Sequence, residues 1–441
     1  MAAFRLGRIL RFNSFFAGRQ PLRALSGPSA REASSSSSST EEVIERELSY
    51  GAHNYKPVPV AIARGEGVHV WDVEGRRYLD FLSAYSALNQ GHCHPKIVQA
   101  MMDQAHTLTL TSRAFYTDTL GGYQEFMTKL FGYDKLLPMN SGVEAAETAV
   151  KLARRWGYDV KGIPHNQAKV VFVEGNFWGR SIAAVSSSVD PENYGGYGPY
   201  VPGFVIVPYD DVEALERVLT DPTVAGLMLE PIQGEAGVVL PQDGYLKKVS
   251  DLCKANNVLF IADEIQTGLG RTGKLLACDH EGVRPDVVVL GKALSGGMFP
   301  ISAVLADNDV MLTVRPGQHG STYGGSPLAC KVAMASMKVI LEEKLTENAA
   351  ALGSILEREL RDLPASIVSA TRGRGLLHAL VIKRLSNDAN AWTVCLRLRD
   401  SGLLAKPTHD DIIRFAPPLI ITETQLMEAV SIIKKVISSF D

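Results

Sequence analysis

Short β-branched runs alternate with stretches of helical spacing along most of this chain. Val170 to Val173, Phe204 to Val207, Gly226 to Leu229, Val258 to Ala262 and Asp286 to Leu290 are each bounded by Gly, Pro or Asp. Continuous apolar runs of that length predict strands buried on both faces of a parallel sheet. Gly142 to Trp156 predicts the best helix, with Val143, Ala146, Ala149, Val150 and Ala153 as its apolar stripe and Gly157 as a stop. Glu144 and Glu147 lie early in it and Arg154 and Arg155 late, the order that suits the helix dipole. After about Leu328 a long helix is predicted, with Met334, Met337 and Leu341 at helical spacing, and it leads into strands Ile367 to Ala370 and Leu376 to Ile382. The alternation indicates an α/β protein with a mostly parallel central sheet. We expect a large domain over residues 96–328 and a smaller α/β domain over 329–441, completed by an N-terminal segment, residues 41–95.

The first 40 residues break that pattern. Met1 to Arg31 holds six arginines and no acid, and Arg5, Arg8 and Arg11 recur on one helical face with Leu6, Ile9 and Leu10 on the other. The segment lacks the compact apolar stretch of a secretory signal and has the Arg-rich, Ser-containing character of a mitochondrial transit peptide; a plain basic tail is the blander reading. Ser34 to Ser39 is a polar run that buries nothing and reads as linker or cleavage zone. Residues 1–40 are therefore set apart from the fold, with the mitochondrial matrix as the expected location.

Composition narrows the function classes. The chain has 441 residues, 46% apolar and 21% charged, which fits a folded protein of two or three domains. No run reaches the ~18 apolar residues of a membrane span. Its net charge of −3, with no basic stripe beyond the N-terminus, gives no footprint for nucleic acid. Five scattered cysteines without a CxxC pair read as free thiols of a reducing compartment. Gly268 to Leu275 matches GxGxxG and most of a P-loop, but Leu275 stands where a magnesium-binding hydroxyl belongs, and the first glycine does not follow its strand directly. His92-Cys93-His94 alternates sides in an extended segment and cannot converge on one metal.

Two predicted strands end in groups with chemistry. Val258 to Ala262 runs into Asp263, and Asp286 to Leu290 runs into Gly291-Lys292. Carboxyl ends of parallel strands line the ligand crevice, so an acid and a lysine would meet there. Singly these are an ordinary capping acid and a surface lysine. The small residues Gly291, Ala293, Ser295, Gly296 and Gly297 leave space beside the Lys292 amine, which suits a lysine that holds the aldehyde of pyridoxal 5'-phosphate. Asp263 would keep the pyridine nitrogen protonated, and the helix start at Ser141-Gly142-Val143 would take the phosphate.

Asp263-Glu264-Ile265-Gln266-Thr267-Gly268, followed by Leu290-Gly291-Lys292-Ala293-Leu294-Ser295-Gly296-Gly297, resembles the class III aminotransferases of pyridoxal-phosphate transferase fold type I. Within that family the chain is similar to members that act on the δ-amine of L-ornithine. Carrying this are Tyr55 in Gly51 to Tyr55, Tyr85 in Phe81 to Ser86, Gly175 to Arg180, Pro231 to Gly237, His319 to Gly325 and Ile413 to Pro418. The resemblance covers nearly everything after about Glu45. It implies Lys292 as the cofactor-bound lysine and proton carrier, and Asp263 as partner of the ring nitrogen. Gly142 and Val143 would hold the phosphate, Phe177 and Ile265 the ring faces, and Gln266 the phenolic oxygen. Ser321 and Thr322 would reach the phosphate from a neighbouring subunit, which implies a homodimer with its site at the interface, alone or within a higher oligomer. Tyr55, Tyr85, Arg180, Glu235 and Arg414 would bind substrate, with Glu235 neutralising Arg414 until the α-carboxylate of glutamate or 2-oxoglutarate takes its place. Other ω-amine transaminases, acting on acetylornithine or 4-aminobutyrate, are the near alternative. A non-catalytic binding protein or a nucleotide enzyme has no use for Lys292, Asp263, Arg180 and Arg414 together.

Overall fold

The computed structural model describes residues 38–383 and 389–440. The expected transit peptide, apart from its last residues, lies outside them. The first element among the described residues starts where the expected linker ends. Ser39 caps the helix Thr40–Tyr50 in a reciprocal capping box with Glu42, and the Thr40 hydroxyl donates to Glu74 at 2.8 Å. The antiparallel strands β1 (Ile62–Glu66), β2 (His69–Asp72) and β3 (Arg77–Asp80) come next. A central stretch supplies β4 (Lys135–Met139), β5 (Lys169–Val173), β6 (Phe204–Val207), β7 (Val224–Leu229), β8 (Leu259–Asp263), β9 (Val287–Leu290) and β10 (Ser302–Ala306). The last part adds β11 (Val368–Arg374), β12 (Leu377–Ile382), β13 (Leu403–Leu404), β14 (Lys406–Thr408) and β15 (Ile412–Phe415).

Strands β4 to β10 make one seven-stranded sheet in the order β4-β10-β9-β8-β7-β5-β6, in which β10 alone runs against its neighbours. The fold class is α/β with a mostly parallel sheet, as the sequence predicts. Its middle strands are dry on both faces: every residue of β7, β8 and β9 is buried. Burial of this kind stabilises the fold by roughly 1.5–3 kcal/mol per large apolar side chain. β4 and β10 escape sequence reading for separate reasons. β4 carries Pro138 and sits at the sheet edge, where a missing N–H is tolerated, and β10 is Ala-rich and weak in β-propensity.

Two smaller sheets flank this one. β1-β2-β3 is extended by β13, parallel to β3, so the N-terminal strands share a sheet with the C-terminal part. β11-β12-β15-β14 forms the other, entirely antiparallel. The helix Gly142–Asp159 runs past the predicted stop. Gly157 does not end it; a Cβ there would come within 2.8 Å of the Ala225 side chain, so glycine instead lets the helix press onto β7. The glycine-rich loop after β8 is structural. Arg271 is fully buried in it and donates to the carbonyls of Leu376 and Pro417 and to Asn89, tying three parts of the chain together.

Candidate active site

Because β4, β5, β7, β8 and β9 point the same way, their carboxyl ends fall along one edge of the sheet. β8 delivers Asp263, β9 delivers Lys292 after Gly291, and β4 turns through Asn140 into the helix that begins at Gly142. Two cavities meet there at Ala84 and Lys292. One, of about 360 Å³, is lined by Asn140, Ser141, Gly142 and Ser295 among others. The other, of about 200 Å³, is lined by Tyr55, Tyr85, Phe177, Arg180, Glu230, Glu235 and Gln266.

The first cavity has the properties of an anion site. Ser141 and Glu144 form a capping box that satisfies the Glu144 amide, which leaves the amides of Gly142 and Val143 at the positive end of the helix dipole. Ile265 packs across this end: its side chain lies 3.1 Å from where a Cβ on Gly142 would be and 3.3 Å from one on Gly291. The Ser321 hydroxyl accepts from the Asn140 side chain at 2.7 Å, so this loop already adjoins the helix end within one chain. Thr322, next to it, is exposed.

The electrostatics at the seam are unusual. Asp263 is 4% exposed, and burial pushes its pKa up to about 6 against the pull of the Ile265 amide and of Lys292. Desolvation of the amine lowers the Lys292 pKa, opposed by Asp263 and by Glu230. Lys292 also has a left-handed φ of 41°, a conformation that disfavours L side chains. Glu230, which sequence reading missed, is buried and pushed up to about 8 by burial and by the charge of Asp263. Its carboxylate accepts from the amides of Phe177 and Gly234, both at 3.1 Å, bracing two loops of the second cavity. The signal that could have found it is the one that found Asp263: an acid directly after a buried strand.

Tyr55, Tyr85, Phe177, Arg180, Glu235 and Gln266 line the second cavity, and Arg414 adjoins it through Glu235. Arg414, on β15, is nearly buried and pairs with Glu235 at 2.9 Å, and it also donates to the Gly234 carbonyl at 3.3 Å. The Tyr85 ring lies 5.1 Å from the Arg414 guanidinium, and Arg180 lies 5.8 Å from the Phe177 ring. Tyr55 is 64% exposed at the mouth. Gln266 donates to the Tyr85 carbonyl at 3.2 Å. Phe177 and Trp178 part company: Phe177 lines the cavity, and Trp178 stacks on Phe172 in the core with its N–H on Ser187.

A desolvated lysine beside a buried acid, at the end of an open sheet and next to a helix N-terminus, is what an aldehyde cofactor with a phosphate requires. The Aminotransferase class-III family profile matches residues 50–437.

The chain belongs to the class III aminotransferases.

It is 63% identical over 402 residues to the mitochondrial ornithine aminotransferase of Rattus norvegicus, covering 91% of each chain. Among solved structures, an ornithine aminotransferase from Toxoplasma gondii superposes with a TM-score of 0.89 at 47% identity, covering 91% of this chain and 95% of that one. Its active site holds pyridoxal phosphate at partial occupancy. An acetylornithine aminotransferase from Elizabethkingia anophelis superposes with a TM-score of 0.83 at 54% identity over 91% and 99% of the two chains. This class III aminotransferase is a pyridoxal-phosphate enzyme of fold type I. Its residues fit the group: the amine and acid are present and dry, the helix amides are free of other duties, and Phe177 and Ile265 offer apolar faces. Among the described residues no cluster of His, Cys, Asp or Glu suits a metal. All five cysteines are free thiols.

Proposed function

We propose that this enzyme moves the δ-amino group of L-ornithine to 2-oxoglutarate, giving glutamate 5-semialdehyde, which cyclises to pyrroline-5-carboxylate, and L-glutamate. The observation that carries this reading is the closed Glu235 to Arg414 pair beside a cavity that Arg180 also lines. A donor that offers a terminal amine to Lys292 brings no carboxylate to the near end, and Arg414 is already neutralised for it. Arg180 and Tyr55 are left to meet the amino-acid head at the far end. When glutamate or 2-oxoglutarate binds, its α-carboxylate displaces Glu235 from Arg414 and takes a two-pronged contact, and its side-chain carboxylate goes to Arg180.

Pyridoxal phosphate, when bound, supplies the aldehyde that accepts the amino group and the ring that takes up the electron pair of the broken C–H bond. The chain does the rest. Lys292 Nζ, its pKa lowered by burial, is neutral more often than an ordinary lysine and carries the proton between the δ-carbon and the cofactor. Asp263 holds a proton on the ring nitrogen. The Gly142 and Val143 amides bind the phosphate, Phe177 and Ile265 flank the ring, and Gln266 meets its phenolic oxygen.

The same proposal extends to assembly and location. Ser321 and Thr322 reach the phosphate of a second copy; the large exposed side chains Phe115, Tyr116 and Tyr323 support a homodimer. The proposed domain limits, residues 96 and 328, are supported by the sheets: all strands of the seven-stranded sheet lie between them and all strands of the two smaller sheets lie outside. The chain works in the mitochondrial matrix, its rat relative being mitochondrial by name, and the transit peptide and Ser-rich linker of residues 1–40 address it there. A reporter carrying residues 1–40 should enter mitochondria, and cytosolic retention would refute the address. No described helix is long and apolar enough to cross a membrane.

Amine donors assayed side by side with 2-oxoglutarate test the activity. Ornithine should lead acetylornithine and 4-aminobutyrate, since only ornithine brings an α-ammonium to Tyr55; equal or better turnover of acetylornithine would move the enzyme to the neighbouring branch.

A further inference from the structure

Four consecutive residues without a glycine among them, Ser83, Ala84, Tyr85 and Ser86, have φ of 49°, 46°, 59° and 71°. With ψ of 48° at Ala84 and 43° at Tyr85 they form one turn of left-handed helix. L-residues visit this region singly and unwillingly, because Cβ crowds the following carbonyl, so a run of four must be held from outside. Its own side chains do not hold it: the Ser83 and Ser86 hydroxyls are buried and bond to no group among the described residues.

Asp80, the last residue of β3, does. It is 8% exposed, and its Oδ1 accepts from the amides of Leu82 and Ser83, both at 2.9 Å, while Oδ2 meets His92 Nε2 at 2.7 Å. One carboxylate thus pins the entry of the turn and is itself anchored by the imidazole. The turn sets Ala84 at the seam of the two cavities and lays the Tyr85 ring against Arg414. A right-handed path from Leu82 would send Tyr85 in another direction. Gln266, on the Tyr85 carbonyl, is a second tie, yet it holds the far side of the turn and leaves the entry to Asp80.

We propose that Asp80 is a positioning residue for donor selection: by locking the left-handed turn it keeps Tyr85 over Arg414, so that an α-amino acid must displace an ordered ring as well as Glu235. The proposal rests on the reading of Arg414 and Glu235 given above. Asp80 itself touches no substrate.

Single-turnover half-reactions of the holoenzyme with ornithine and with glutamate read the effect, with Tyr85→Ala as reference. Asp80→Ala should lower the ornithine-to-glutamate ratio of kcat/KM by about tenfold, in the direction of Tyr85→Ala. Asp80→Asn, whose amide oxygen still accepts both N–H groups, should stay within about twofold of the parent. Amide exchange across residues 82–88 should quicken in Asp80→Ala and not in Asp80→Asn, whereas cofactor affinity, read by titrating the apoprotein, should not move. If Asp80→Ala does not accumulate, His92→Phe removes the anchor of the Asp80 carboxylate instead. An ornithine-to-glutamate ratio below the parent's supports the proposal, and an unchanged one overturns it. If Tyr85→Ala shifts the ratio and Asp80→Ala does not, the positioning role is wrong and the substrate reading stands. If Tyr85→Ala leaves the ratio unchanged, the reading falls and this proposal with it.

Discussion

The two walls of the cleft are built differently. The wall around Lys292 and Asp263 stands on the ends of buried parallel strands, where neighbouring strands pair on both sides of β8 and β9. The wall around Tyr55, Tyr85, Arg180, Glu235 and Arg414 is assembled from loops, one strained turn and the antiparallel strand β15. Left-handed backbone costs roughly 1–2 kcal/mol per L-residue, so the second wall carries strain that outside contacts must offset. In the proposed mechanism the groups that do chemistry at every turnover sit on the rigid wall. The groups proposed to choose between substrates sit on the other wall, because a site serving two differently charged substrates needs a part that moves.

The comparison can be broken most forcefully at Lys292. Lys292→Ala should fold and still lose activity by at least about a thousandfold, within the range by which removal of a proton-transferring group slows a reaction. Borohydride reduction of the parent followed by peptide mapping should place the cofactor on Lys292, and a label on another lysine would remove the rigid wall from the chemistry. Asp263→Asn should come next, with a loss on the order of a hundredfold at unchanged secondary structure, because a neutral amide does not hold the ring nitrogen protonated. Near-normal turnover there would exclude Asp263 from the mechanism.

On the other wall the change should be one of preference. Glu235→Ala frees Arg414 permanently, so glutamate should gain on ornithine as donor by about tenfold in half-reactions, the size of one charged contact. An unchanged ratio leaves the pair with Arg414 a static one. The smallest effect concerns stability. In the folded apoprotein Glu230 and Asp263 keep protons to about pH 8 and about pH 6, whereas ordinary carboxylates release theirs near 4.5 and 3.8. The folded chain therefore binds more protons across that window, and its stability should fall as pH rises through it. Glu230→Gln should flatten the slope measured by thermal unfolding between about pH 5 and pH 8. A slope as steep as the parent's would show that Glu230 is ionised throughout.

Much of the rigid wall was legible in the sequence because its signals are local. An apolar run followed at once by an acid or a lysine implies a strand end at a crevice, and this holds for β8 and β9. The same rule, applied after Leu229, points to Glu230. The loop-built wall was legible only through family resemblance. Nothing in Ser83-Ala84-Tyr85-Ser86 signals a left-handed turn, since no glycine marks it and the force that holds it comes from Asp80. Gly157 misled for a related reason: a glycine late in a helix reads as a stop, but its cause was the approach of β7 from elsewhere in the chain.

The sequence by itself determined which segments become buried strands, where the long helix starts, and which acid and lysine stand at strand ends. These depend on the period of apolar residues and on caps a few positions away. Only the tertiary structure decided the antiparallel run of β10 and the meeting of Glu235 with Arg414 from another sheet. Those outcomes are set by packing and charge between residues far apart in the chain, where no short pattern records which partner will arrive or from which side.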